Sequence, residues 1–239
     1  MRLLVSVADD GEARTALAAG ADIIDAKNPR RGPLGAVTSR TLAAIVGAVR
    51  PHRPVSAALG DALSTGDVRR SVAEAAACGA SFVKVGFRGV ASEARALRLS
   101  VTAQGACISR PATTLVLVAY ADAARAGSPS PDALVAVAAR CGASGVLLDT
   151  CVKDAGGLFD VLSFDRVSAW VALAHDHGLR AGLAGGLAAG DLAMAEATGA
   201  DLVGVRGAAC DGGRNGRVSG CLVARLHAML RPAATPAAV

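Results

Sequence analysis

A chain of 239 residues that is 52% hydrophobic and 19% charged can bury a large aliphatic core, and its length suits a single α/β barrel domain rather than a disordered chain. Apolar runs are short, seven residues at Leu115–Ala121, against the ~18–20 that a membrane helix needs, and MRLLVSVADD is too short and too acidic for a secretory signal, so no membrane is involved and a cytoplasmic protein is expected. The net charge of +5 comes from scattered bases, and the six aromatic residues do not alternate with arginine, which argues against a nucleic-acid partner and suits a small anionic substrate.

Short apolar runs alternate with alanine-rich helical segments, the pattern of βα units around a parallel sheet. In chain order the expected elements are a strand near Leu3–Val7, a helix at Asp9–Ala19, a strand at Asp22–Lys27 and a helix at Thr38–Val49. A strand at Val55–Leu59, a helix at Asp67–Ala77 and strands at Phe82–Gly86 and Thr114–Ala119 follow. The second half gives a helix at Pro131–Cys141, a strand at Gly145–Asp149, a helix at Phe164–His177, strands at Arg180–Ala184 and Leu202–Arg206, and a last helix at Ser219–Leu230. Eight strands make a (β/α)8 TIM barrel over residues 1–230, with the tail RPAATPAAV, 231–239, expected to be disordered.

An internal echo supports the count. AAGADIIDAK, ACGASFVKVG, RCGASGVLLDT and ATGADLVGVR precede strands 2, 4, 6 and 8, and in each a glycine (Gly20, Gly79, Gly142, Gly199) ends a helix just before a strand. Side chains alternate faces along a strand, so the positions after each glycine can be sorted. Offsets four and six are apolar throughout (Ile24, Ala26, Val83, Val85, Val146, Leu148, Val203, Val205) and belong under the helices. The odd offsets must then point into the barrel. They form an uncharged bottom layer (Ile23, Phe82, Gly145, Leu202), a middle layer (Asp25, Lys84, Leu147, Gly204) and a top layer (Lys27, Gly86, Asp149, Arg206).

Five charged groups converging near the C-terminal ends of barrel strands mark a functional site, although a purely structural ion-pair lattice is the plain alternative. Lysine usage sharpens the choice: three of the 25 basic residues are lysines, Lys27, Lys84 and Lys153, and 22 are arginines. Lysine remains where arginine fails, that is, where an amine must become neutral. Lys27 and Lys84 both point into the mouth, and Lys153 follows strand 6 on the same rim, where it could equally be a solvated loop residue. A lysine amine condenses with a carbonyl to give an iminium that acidifies the adjacent carbon, and a second cation nearby favours the neutral, attacking amine. Asp25, two residues from Lys27 on one strand face, and Asp149 across the mouth could move protons or orient the amine.

Barrels often hold phosphate in the loops after strands 7 and 8. Those loops carry Gly185 and Gly186, then Gly207, Gly212 and Gly213, with Arg206 and Arg214 (or Arg217) as forked partners for phosphate oxygens. The basic loop after strand 2, with Asn28, Arg30 and Arg31, could take another phosphate or act as a lid. Ser6 and Ser56 read as fillers of the barrel interior, and Asp61 and Asp122 could face the mouth. The six cysteines lack a CxxC pair and read as reduced thiols. His175 and His177 are two apart on a helix and make a poor metal pair. No metal and no cofactor is called for.

The strings LLVSVADDGEARTALAAGADIIDAKNPRRGPLGA, SFVKVG, VLLDTCVKD with GLFDVLS, LAGGL and DLVGVRGAACDGGRNGR closely resemble the (5-formylfuran-3-yl)methyl phosphate synthase family, over nearly the whole chain. The resemblance implies a lyase of methanofuran-type cofactor biosynthesis, working in one-carbon metabolism. It would join two glyceraldehyde-3-phosphate molecules, with loss of phosphate and water, to a furan phosphate. It also implies the Schiff base on Lys27, proton acceptance by Lys84, and support from Asp25, Asp149 and Lys153. Two other readings stay open: a class I Schiff-base aldolase on triose phosphates, and a non-catalytic phosphosugar-binding barrel. Self-assembly into a homo-oligomer is also left open.

Overall fold

A computed structural model of the chain describes residues 1–110, 112–152 and 156–231. Eight parallel strands close into a barrel in sequence order: β1 Arg2–Val7, β2 Ile23–Ala26, β3 Val55–Asp61, β4 Phe82–Gly86, β5 Thr114–Tyr120, β6 Gly145–Asp149, β7 Arg180–Leu183 and β8 Leu202–Val205, with β8 pairing back onto β1. A two-stranded hairpin, β9 Cys210–Asp211 and β10 Arg217–Val218, follows β8. The helices are α1 Asp10–Ala18, α2 Ser39–Val49, α3 Thr65–Ala77, α4 Glu93–Ile108, α5 Ala123–Ala126, α6 Pro131–Cys141, α7 Leu158–Val161, α8 Phe164–Asp176, α9 Leu192–Ala197 and α10 Gly220–Met229.

Local chemistry sets the helix starts. Asp9, Thr38, Ser64, Ser92, Ser130 and Ser163 each precede a helix, and their side chains accept from the backbone amide three residues on. Each such cap contributes about 1 kcal/mol. The four echoed glycines take φ values of +97°, +91°, +74° and +81°, left-handed backbone that turns the chain from helix into strand without a Cβ penalty. Of the described tail, Arg231 is tied down by a 2.7 Å bond to Asp22. The rest of the expected disordered tail lies outside the described residues. None of the described helices is long and apolar enough to cross a membrane.

The core has two parts, divided by the barrel wall. Ile24, Ala26, Val83, Val85, Val146, Leu148, Val203 and Val205 all lie in the shell between strands and helices, as their offsets require. Inside the barrel a smaller cluster contains Ala58, Val118, Tyr120, Leu147 and Ala184, with Leu34 and Cys151 above it. Ile23, Phe82, Gly145 and Leu202 line a cavity of about 50 Å³ at the N-terminal end of the barrel. A much larger cavity of about 490 Å³ opens at the C-terminal end. Lys84, Leu4 and Leu147 border both, so they form the floor of the mouth.

Candidate active site

The mouth gathers side chains from strands that are far apart in sequence. Lys27 follows β2, Lys84 rises from the middle of β4, Asp149 ends β6 and Arg206 follows β8; all four line the cavity. Asp25 lies behind this lining and is fully buried. Its Oδ2 sits 2.7 Å from Lys84 Nζ and accepts a 2.9 Å hydrogen bond from Ser6 Oγ on β1. Burial alone would push the Asp25 carboxyl up, but the charges of Lys84 and Lys27 and the hydrogen bonds from Lys84 and Ser6 outweigh it and hold the group below its ordinary value. Asp25 is therefore an anion inside the barrel, and it fixes the Lys84 ammonium under the mouth.

Asp149 is also buried, and its Oδ1 accepts from the Thr150 amide at 2.7 Å. Lys153 lies outside the described residues. The loop that carries it starts on a firm base, since Asp122 accepts from the amides of Cys151 and Val152 at 2.7 and 2.8 Å. Asp122 thus braces a loop of the rim.

The phosphate candidates divide. Gly185, Gly186 and Gly207 line the mouth beside Leu187 and Ala208. Among the described residues, the amides of Gly186, Leu187, Gly207 and Ala208 have no hydrogen-bond partner, and all four residues line the cavity, a set of backbone donors at the ends of β7 and β8. Leu187 and Ala208 carry no side-chain signal of this role; only their place after strands 7 and 8 points to it. Gly212 and Gly213 do not belong to this group. With φ of +80° and +75°, they form the exposed turn of the β9–β10 hairpin and do not line the mouth.

Arg206 also departs from expectation. It borders the mouth, yet all five of its N–H donors are engaged inside the protein: Nε on Arg214 O, Nη1 on Ser6 O and Glu12 Oε2, Nη2 on Glu12 Oε1 and Gly216 O. Glu12, in the first turn of α1, is 3% exposed and also accepts from the Ala8 amide. Arg206 therefore braces the β8 loop against α1 and leaves no fork for a ligand. The available fork is on Arg214. Its Nη2 holds Pro29 O and Gly32 O, at 3.1 and 2.7 Å, while Nε and Nη1 donate to nothing among the described residues. Burial and the charge of Arg206 pull Arg214 below its ordinary value, and the Asp149 carboxylate opposes them.

Arg214 also ties down the loop after β2. Asn28 caps the Arg30 amide and Arg31 reaches Ala36 O, so this loop is closed on itself. Neither Arg30 nor Arg31 lines the mouth. Arg217 pairs with Asp9 on the outside.

On the opposite rim Tyr120 Oη donates to Asp61 Oδ1 at 2.7 Å, and the same oxygen accepts from the Arg88 amide. Burial and the Asp61 and Asp149 carboxylates push the phenol up, which keeps it a neutral donor. This pair fills the space left by Gly86, where a Cβ would collide with Asp61 Oδ1 and lie 2.6 Å from Tyr120 Oη. Tyr120 was missed in the sequence, although its inward parity with Val116 and Val118 was there to be read.

Comparisons with known proteins bear on the family and the fold. Over 218 residues the chain is 42% identical to the (5-formylfuran-3-yl)methyl phosphate synthase of Methanopyrus kandleri, covering 90% of this chain and 92% of that protein. It is 38% identical over 235 residues to the synthase of the same name from Methanocaldococcus jannaschii, covering 97% and 100%. Among solved structures, phosphoribosyl anthranilate isomerase from Thermus thermophilus superposes with a TM-score of 0.66 at 17% identity, over 96% and 98% of the two chains, a likeness of fold alone. The family model described as 4-HFC-P synthase matches residues 3–227, and the chain belongs to that family.

Proposed function

We propose that the protein condenses two molecules of glyceraldehyde-3-phosphate, one after isomerisation to the ketose phosphate, into (5-formylfuran-3-yl)methyl phosphate for a methanofuran-type cofactor. The atoms balance on loss of one phosphate and two waters. The observation that carries the reading is the joint presence of Lys27 and Lys84 in one 490 Å³ mouth, with Lys84 fixed by a buried carboxylate. A barrel that only bound phosphosugars would have no use for two such lysines.

In this reading the neutral Lys27 amine attacks the ketose carbonyl, and the Lys84 ammonium gives its proton to the departing hydroxyl, which leaves as water from the iminium and makes Lys84 a neutral base. Lys84 Nζ then takes the proton from the adjacent carbon, the C–H electron pair passing into the iminium. The resulting enamine carbon bonds to the aldehyde carbon of the second triose. Asp149 and Lys153 serve the later proton transfers that eliminate water and phosphate. The amides of Gly186, Leu187, Gly207 and Ala208, with Nε and Nη1 of Arg214, take the phosphate oxygens. Family membership supports the reaction, and the 38–42% identical relatives bear the product's name.

The test is borohydride reduction of the enzyme mixed with triose phosphate, followed by peptide mass mapping and absorbance of the conjugated furan aldehyde. The expected result is an adduct on Lys27, lost in Lys27→Arg, and growth of the chromophore. An adduct that persists in Lys27→Arg refutes the nucleophile. An adduct without a chromophore indicates a triose phosphate aldolase, and no adduct at all leaves a binding barrel.

A further inference from the structure

Ser6, Asp25 and Ser56 stand side by side on three adjacent strands. Ser6 pairs with Asp25 in the β1–β2 ladder, and Asp25 pairs with Ser56 in the β2–β3 ladder, so all three side chains enter the barrel at one height. None is more than 3% exposed. Oδ2 of Asp25 already holds Lys84 Nζ and Ser6 Oγ. Its Oδ1 has no partner among the described residues, and neither has Ser56 Oγ. Buried polar atoms without partners are rare, and here a lone acceptor and a lone donor sit on ladder-paired residues whose backbones are about 4.8 Å apart. That spacing allows a hydrogen bond from Ser56 Oγ to Oδ1, directly or through one water.

We propose that Ser6 and Ser56 are positioning residues of the reaction, two hydroxyls that hold the two oxygens of Asp25 while Lys84 exchanges its proton. The proposal rests on the reading of Lys84 as proton acceptor. In that step Lys84 Nζ begins as a neutral amine, so Asp25 loses its nearest cation at a position sealed from bulk solvent. The remaining groups that face it are Ser6 from β1, Lys27 just past the end of its own strand, and Ser56 from β3. With two hydroxyl donors the carboxylate stays an anion and does not capture the proton itself. The C–H bond then breaks toward Nζ, the new N–H forms there, and the ammonium finds its counter-ion in place.

The experiment compares Ser6→Ala, Ser56→Ala, the double variant, Ser56→Thr and Lys84→Met, reading kcat, KM and the pH dependence of kcat. Each alanine is expected to lower kcat about tenfold with KM within twofold and to move the acidic limb up by about one pH unit, the scale of one hydrogen bond to a charged group. Ser56→Thr keeps the wild-type limb, because Ser56 borders the 50 Å³ cavity and the added methyl has room there. The Asp25 carboxyl 13C titration gives a readout without turnover, and its midpoint rises in the double alanine variant. An unmoved limb and midpoint, or equal losses in the alanine and threonine variants, overturns the proposal. Lys84→Met with full kcat sinks the reading of Lys84 instead, whereas an inactive Lys84→Met beside unmoved serine variants sinks only the role of the serines.

Discussion

Replacing Arg206 separates a brace from a phosphate ligand. Arg206→Met removes all five internal hydrogen bonds at once and leaves the Glu12 carboxylate, 3% exposed, without its cation. Breaking a buried ion pair from one side costs about 3–5 kcal/mol, because the surviving charge stays desolvated. For a domain of this size each kcal/mol moves Tm by about 2–4 °C, so a fall of about 6–20 °C is expected. Adding Glu12→Leu removes the orphaned charge, and Arg206→Met/Glu12→Leu should recover a large part of the loss. The assay is thermal unfolding by circular dichroism, set beside KM for the triose phosphate at a temperature where every variant is folded. If Arg206→Met melts with the wild type and raises KM more than tenfold, the guanidinium serves a ligand and the assignment as a brace is wrong.

Arg214→Ala is expected to do the opposite, raising KM for phosphorylated substrate by tenfold or more through loss of charged hydrogen bonds, with a smaller fall in Tm; steady-state kinetics beside melting curves decide. Gly86→Ala drives a methyl against Leu34, Asp61 and Tyr120 and should cost about 1–3 kcal/mol of overpacking, read as a lowered urea midpoint. Asp25 has a carboxyl held below its ordinary 3.8, so its ionised form stabilises the fold fully above that value, and the contribution is lost as pH falls through the lower folded value. The Tm difference between wild type and Asp25→Asn should accordingly stay constant near neutrality and shrink below about pH 4; a difference that grows on acidification contradicts the sign.

The barrel was legible because its strands are short aliphatic runs punctuated by turn residues, and four glycines in repeated strings set the register of the even strands. From that register the three interior layers followed, and with them the convergence of Lys27, Lys84, Asp25 and Asp149. Helix α4 at Glu93–Ile108 was not singled out, since its buried face, Ala96, Leu99, Ser100, Ala103 and Cys107, is built of small and polar residues that make a faint apolar stripe. Helices α5, α7 and α9 are too short for any periodicity to show. In the site the failures are of one kind. A sequence shows that an arginine stands in a phosphate-type loop, but not that Glu12, 194 residues away, claims its fork. Nor can it tell the glycines of a hairpin turn, Gly212 and Gly213, from those of a loop that meets a ligand.

The same competition for partners explains why lysine and arginine divide this barrel as they do. At Arg206 three carbonyls and a carboxylate surround the side chain, and a planar fork with five donors satisfies all of them. At Lys84 the surroundings are Asp25, Leu4, Leu147 and the two cavities, and one carboxylate oxygen is the partner at hand. A guanidinium there could never give up a proton. The supports also form a series. Glu12 holds Arg206, Arg206 holds the carbonyl of Arg214, and Arg214 holds Pro29 and Gly32 of the loop that begins at Lys27. The loop that follows the nucleophile proposed here is therefore tied to α1 through the β8 loop, by Arg206 and Arg214 in turn, and Arg214 also lines the mouth.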